Sequence, residues 1–157
     1  MKKRILALVL GLSVLLLAGC AGASDPEPLP QGMEEETLTA AAQQVAELLV
    51  DGDYQAVYQM FREDVRSELS AESVSDLAAP ALEEAGDFES IDETVVSGST
   101  EGESHGIVQL TCTFSEKEVE FRVAFDPGME LIGLSVGSRS TGWSFSNLFH
   151  NLSNLFS

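Results

Sequence analysis

Apolar residues recur every three to four positions from about 36 to 86 and every second position from about 88 to 137, so the chain switches once from helical to extended periodicity. Leu38, Ala41, Ala42, Val45, Leu48 and Leu49 make one stripe and predict a helix over 36–50. Asp51-Gly52 breaks it, glycine suiting the left-handed C-terminal cap. Asp53 is placed to cap a second helix carrying Tyr54, Val57, Tyr58 and Phe61. Ser70 caps a third, with Leu69 and Val74 at the spacing of a hydrophobic staple. Its buried face is Val74, Leu77, Ala78, Ala81 and Leu82, and Gly86 ends it. Pro80 falls inside this helix and is expected to kink it, because its ring clashes with the carbonyl of Asp76.

The second half predicts strands over 88–97, 105–115, 118–126 and 130–137, separated by turn-rich segments. In the third of them Val119, Phe121, Val123 and Phe125 face inward while Glu118, Glu120 and Arg122 face outward, as in an antiparallel sheet with one wet face. Helices followed by a meander give a segregated α+β architecture, helices on one face of a curved sheet of about four strands.

The ends follow other patterns. Met1-Lys2-Lys3-Arg4 precedes an uncharged run from Ile5 to Leu17, too short to span a bilayer comfortably, and the run closes on Leu17-Ala18-Gly19-Cys20. This resembles the lipobox of bacterial lipoproteins, which implies diacylation of the Cys20 thiol, cleavage before it, and an extracytoplasmic protein anchored to the cell membrane by its N-terminal lipid. Two acyl chains are needed physically, since one alone holds only marginally. Residues 20–35, with Asp25-Pro26-Glu27-Pro28-Leu29-Pro30 and Glu34-Glu35-Glu36, read as an acidic, proline-stiffened tether. At the other end, in the segment 138–157, Trp143, Phe145, Leu148, Phe149, Leu152, Leu155 and Phe156 make a helical stripe. It is read as a C-terminal amphipathic helix that folds over the core, lies at a membrane interface, or meets a partner or a second copy.

Charge narrows the partners. The chain carries 26 acidic and eight basic residues, a net −18. Loss of residues 1–19 removes three of the bases and leaves 138 residues with five bases against 26 acids, net −21: one domain of 36–137 with a real core. Nucleic acid is excluded, because its binding rests on Lys and Arg displacing counterions. Electrostatic docking on anionic lipid is excluded likewise, so lipid on Cys20 must make the membrane contact.

The stretch Leu48 to Phe61, Gly86-Asp87-Phe88, and Phe125-Asp126-Pro127-Gly128 running into Ile132-Gly133-Leu134 resemble a domain-of-unknown-function family of the nuclear-transport-factor-like, cystatin-like superfamily. Members occur in bacterial lipoproteins and fused ahead of serine hydrolases. The resemblance covers about 36–137 and implies a cystatin-like cone of helices on a curved sheet, with a pocket between them. Some relatives use that pocket for isomerisation or dehydration with an Asp, Tyr or His, which would make Tyr54 and Tyr58, one helical turn apart, the candidate pocket residues, with Asp64 beside them. The motifs are packing and turn residues, and no catalytic residue is carried over.

Other chemistry is sparse. With Cys20 acylated, Cys112 has no disulfide partner and sits on a strand face with Val108, Leu110 and Phe114, a buried apolar position. His105, in Glu103-Ser104-His105-Gly106, reads as an exposed loop residue, and His150 falls on the polar side of the tail. Neither has a second His or Cys at ligand spacing, so no metal site is assigned, and no glycine-rich phosphate loop or cofactor motif is present. The expectation is a non-catalytic lipoprotein whose domain binds a small ligand or another envelope protein. A small-pocket isomerase or dehydratase, and an interaction protein acting through its C-terminal helix, stand as alternatives.

Overall fold

The computed structural model describes residues 26–138. Cys20 with the N-terminal apolar run, and the stripe from Trp143 to Phe156, lie outside those residues. Four helices precede four strands: α1 Glu35–Val50, α2 Tyr54–Met60, α3 Glu63–Ser67, α4 Ala71–Ala85, β1 Phe88–Ser99, β2 His105–Phe114, β3 Glu118–Phe125 and β4 Leu131–Ser138. The strands form one antiparallel sheet in the order β1-β2-β3-β4.

Local chemistry sets the helix limits. In α1 the buried positions are Leu38, Ala42, Val45, Ala46 and Leu49, three and four apart, and Gly52 at φ 76° turns the chain out. Asp53 caps α2 by accepting from the Ala56 N–H at 3.0 Å, and Ser70 caps α4 by accepting from the Ser73 N–H at 3.1 Å. α4 runs through Pro80 as one helix and ends at Gly86, φ 83°. α3 is absent from the sequence expectation: five residues with Val65 their one buried side chain give no period to detect.

The core lies between helices and sheet. Val108, Leu110 and Cys112 of β2 and Val119, Phe121, Val123 and Phe125 of β3 are all 0% exposed. Phe88 stands edge-on to Phe114, with ring centroids 5.5 Å apart, and Phe114 continues to Phe121. The sheet therefore has the expected inner face, Arg122 and Glu120 lying on the other side.

Two features place the ends of the chain. Residues 27–33, read as tether, lie against the domain. Glu27 bridges Gly98, whose N–H donates to the Glu27 carbonyl at 2.7 Å, Leu29 packs on the core, and Met33 is buried. A Cβ at residue 98 would collide with the Pro28 carbonyl oxygen, so glycine is required where the segment crosses. Gly98 pairs with Gly106, Gly106 with Phe125, and Phe125 with Leu131, which defines one end of the sheet. Ser138 pairs with Val119 at the opposite end.

Candidate functional site

Arg62, between α2 and α3, gathers three carboxylates at the sheet end where Glu27 is bound. Its Nε and Nη2 donate to Asp64 Oδ1 and Oδ2 at 2.8 and 2.9 Å, a two-point contact. Its Nη1 donates to Glu103 Oε1 at 2.7 Å and to Asp126 Oδ2 at 3.2 Å. The Arg62 backbone N–H donates to the Leu131 carbonyl at 2.9 Å, so main chain and side chain both tie the α2–α3 junction to the sheet. Glu103 comes from the β1–β2 loop and Asp126 from the β3–β4 turn, and Asp126 Oδ1 also accepts from the Glu130 N–H at 2.9 Å. Met129 holds that turn at φ 65°.

The electrostatics follow from that geometry. Its hydrogen bonds to Asp64 and Glu103 raise the guanidinium pKa still further above its already high value, against the opposing pull of burial. The same guanidinium, through its hydrogen bonds, holds the Asp64 carboxyl below the usual carboxylate range, partial burial opposing it. Four of the five Arg62 donors are committed to acids, so the guanidinium is largely withdrawn from binding an anionic ligand. The cluster is a clasp, joining two loops and a helix junction.

The sequence-predicted residues fall elsewhere. Tyr54 and Tyr58 are half-buried and pack against the core, and the Tyr58 hydroxyl donates to the Arg66 carbonyl at 3.3 Å. Asp64 is drawn to Arg62, and no contact joins it to the tyrosines. Cys112 is sealed in the core, where burial first and the negative charge of Asp92 second push its thiol up to about 11.

His105 corrects the expectation. It is 5% exposed, opens β2, and its Nδ1 lies 2.6 Å from the Glu103 carbonyl oxygen, because the neighbouring Gly106 is packed tightly under Leu38 and Met33 and draws the strand start into the fold. Arg62 was missed as well. Its signal is scarcity: beyond residue 19 only Arg62, Arg66, Lys117, Arg122 and Arg139 face 26 acids.

A different kind of surface lies along β1. The opposite edge strand, β4, takes a bridge from Phe61 at Leu131, and every β4 residue is buried or half-buried. β1 is the longest strand and its burial is lowest, with Phe88 at 41% and Val95 at 40% the exposed large hydrophobics among the described residues. Register shifts between Phe88 and Ser90 and between Ile91 and Glu93 bend its first half, leaving Glu93–Ser97 in regular register with β2. Asp92, in the bent part, accepts from the hydroxyls of Thr113 and Ser90.

A protein-family profile described as a protein of unknown function, DUF3887, matches residues 42–134, from within α1 to within β4. The chain is similar in fold to a protein from Ruminococcus gnavus determined by NMR, at 25% identity and a TM-score of 0.61, over 70% of this chain and 96% of that one. No curated protein matches the chain.

Proposed function

The chain belongs to the DUF3887 family, and from that membership, its fold and its N-terminal sequence we propose that it is a lipid-anchored, extracytoplasmic binding protein. Leu17-Ala18-Gly19-Cys20, closing an uncharged run behind three basic residues, carries the reading. Cys20 becomes the diacylated N-terminus, and only a few residues separate it from Glu27, the first residue bonded to the sheet. The domain stands close to the membrane and offers its surface to a small ligand or an envelope protein.

Binding is favoured over catalysis because the groups that do chemistry are committed to the fold. The Tyr58 hydroxyl is held by a backbone carbonyl, the Cys112 thiol is sealed and hard to ionise, and Asp64 and Asp126 are neutralised by Arg62. The strongly acidic composition disfavours nucleic acid and anionic lipid as partners.

Intact mass of the protein extracted from membranes tests the anchor. Loss of residues 1–19 with acyl mass on Cys20 is the expected result, and retention of Met1 or an unmodified Cys20 overturns it. Native mass spectrometry of the Cys20→Ser protein, purified gently from its own host, tests the binding. A reproducible added mass identifies a small ligand, whereas turnover abolished by Tyr54→Phe or Tyr58→Phe would replace the reading with an enzymatic one.

A further inference from the structure

Among the described residues, the outward edge of β1 carries no backbone partner from Thr94 to Val96, and its hydrogen-bonding groups can be assigned. The Gly98 N–H points outward, since it donates to Glu27. Direction alternates along a strand, and Glu93 to Ser99 keep regular register with β2, so the N–H and C=O of Thr94 and Val96 point outward too. Side-chain faces alternate in step. Val96 packs toward the core, while Glu93 and Val95, paired with Thr111 and Gln109, project on the face away from the helices.

We propose that this edge, from Glu93 to Ser97, is a docking site for an extended basic segment of another protein, which adds a strand beside β1. Backbone groups of Thr94 and Val96 give it a ladder, and the side chains beside it set its chemistry. A residue across from Val95 is apolar, and one across from Glu93 is Lys or Arg. Glu89 and Asp92 extend the negative field along the strand, and Glu120 lies on the same face in the row of Glu93 and Thr111, with Arg122 set two strands in from the edge in the row of Val95 and Gln109. A second copy of this chain fits poorly. Pairing shifted toward Gly98 meets the bound Glu27–Pro28 segment, while pairing centred further back sets Asp92 of one copy beside Glu93 of the other, between chains that each carry net −18. The inference deepens the protein-binding form of the proposed function and is independent of the lipid: acylation of Cys20 without edge binding removes this site and leaves the anchor standing.

The test uses the full Cys20→Ser chain and a short acetylated peptide of the repeat Lys-Thr-Val-Thr, which puts Lys and Val in turn on one strand face, followed by residue-resolved amide exchange. Exchange at Thr94 and Val96 is expected to slow about tenfold at saturation. The same repeat with Glu in place of Lys, and one of equal charge with Pro in place of Thr and so lacking half its amide donors, leave it unchanged. Thr94→Pro removes an outward donor and abolishes the effect, with the amides of Leu110 and Phe121 reporting an intact fold. Glu93→Lys, which leaves every backbone donor in place, weakens binding of the Lys-Thr-Val-Thr peptide at low salt. Peptide binding spread over the acidic surface with Thr94 and Val96 unprotected overturns the proposal. So does protection of these amides before peptide is added, from a second copy where it grows with concentration and from the chain's own terminal segments where it does not.

Discussion

The guanidinium of Arg62 balances a carboxylate that water barely reaches. In Arg62→Met the apolar length is kept and the charge removed, and Asp126, 6% exposed, retains only the Glu130 N–H among these contacts. Leaving a buried acceptor unsatisfied costs ~1–3 kcal/mol, so the unfolding free energy in urea at pH 7 falls by about 2 kcal/mol. The acid limb changes too. Because Arg62 depresses the Asp64 pKa in the folded state, the pair contributes stability above about pH 4 and loses it as pH falls through the folded value. Arg62→Met flattens that limb, and an unchanged slope between pH 5 and about pH 2.5 would remove the linkage. Cys112 behaves oppositely. Its raised pKa, about 11, makes folding less favourable as pH climbs from about 8.5 through that value. At pH 8 the native thiol resists alkylation and reacts promptly in denaturant; equal rates in both would contradict a sealed core. Cys112 was legible because alternation places it on the face of Val108 and Leu110. His105 was not, since its burial depends on α1 and Met33 packing over Gly106, which no local pattern encodes.

Among elements, those with a period and a cap were read correctly. Asp53 and Ser70 cap their helices as expected, accepting from the Ala56 and Ser73 N–H groups, and β3 keeps its alternation over eight residues. α3 escaped because one turn has no period, and the Arg62 clasp escaped with it, being assembled from a helix junction and two loops far apart in sequence. The segment 27–33 was read from composition as tether, yet Leu29 and Met33 have core to meet once the sheet exists. Gly98 holds that segment down. Gly98→Ala pushes the Pro28 carbonyl away and breaks the bond to Glu27. A local loss of about 1 kcal/mol speeds exchange of the Met33 amide roughly fivefold while the β2–β3 ladder is unaffected. Unchanged exchange at Met33 would show that the crossing is not what docks the segment.

For the whole molecule, the single change of period at residues 86–88 announced the segregated α+β plan, helices first and sheet after. The open edge of β1 was not announced, because which strand lies outermost follows from topology. Net charge acts at this scale as well. With 26 acids and eight bases the compact state repels itself, so its melting temperature rises between 10 mM and about 150 mM NaCl, as the screening length shrinks from ~30 to ~8 Å. A melting temperature that falls with salt would mean that the Arg62 and Lys117 ion pairs outweigh that repulsion.

The chain reaches the sheet beside Gly98 and leaves it at Ser138, at opposite ends of strands that in β4 run eight residues, roughly 26 Å. A pull applied between those two points acts along the strands. The inter-strand bonds are then loaded together in shear, and none opens before its neighbours as in a zipper. The Glu27 contact is the weakest link in that path, and once it peels the load passes to α1, the next element the chain reaches.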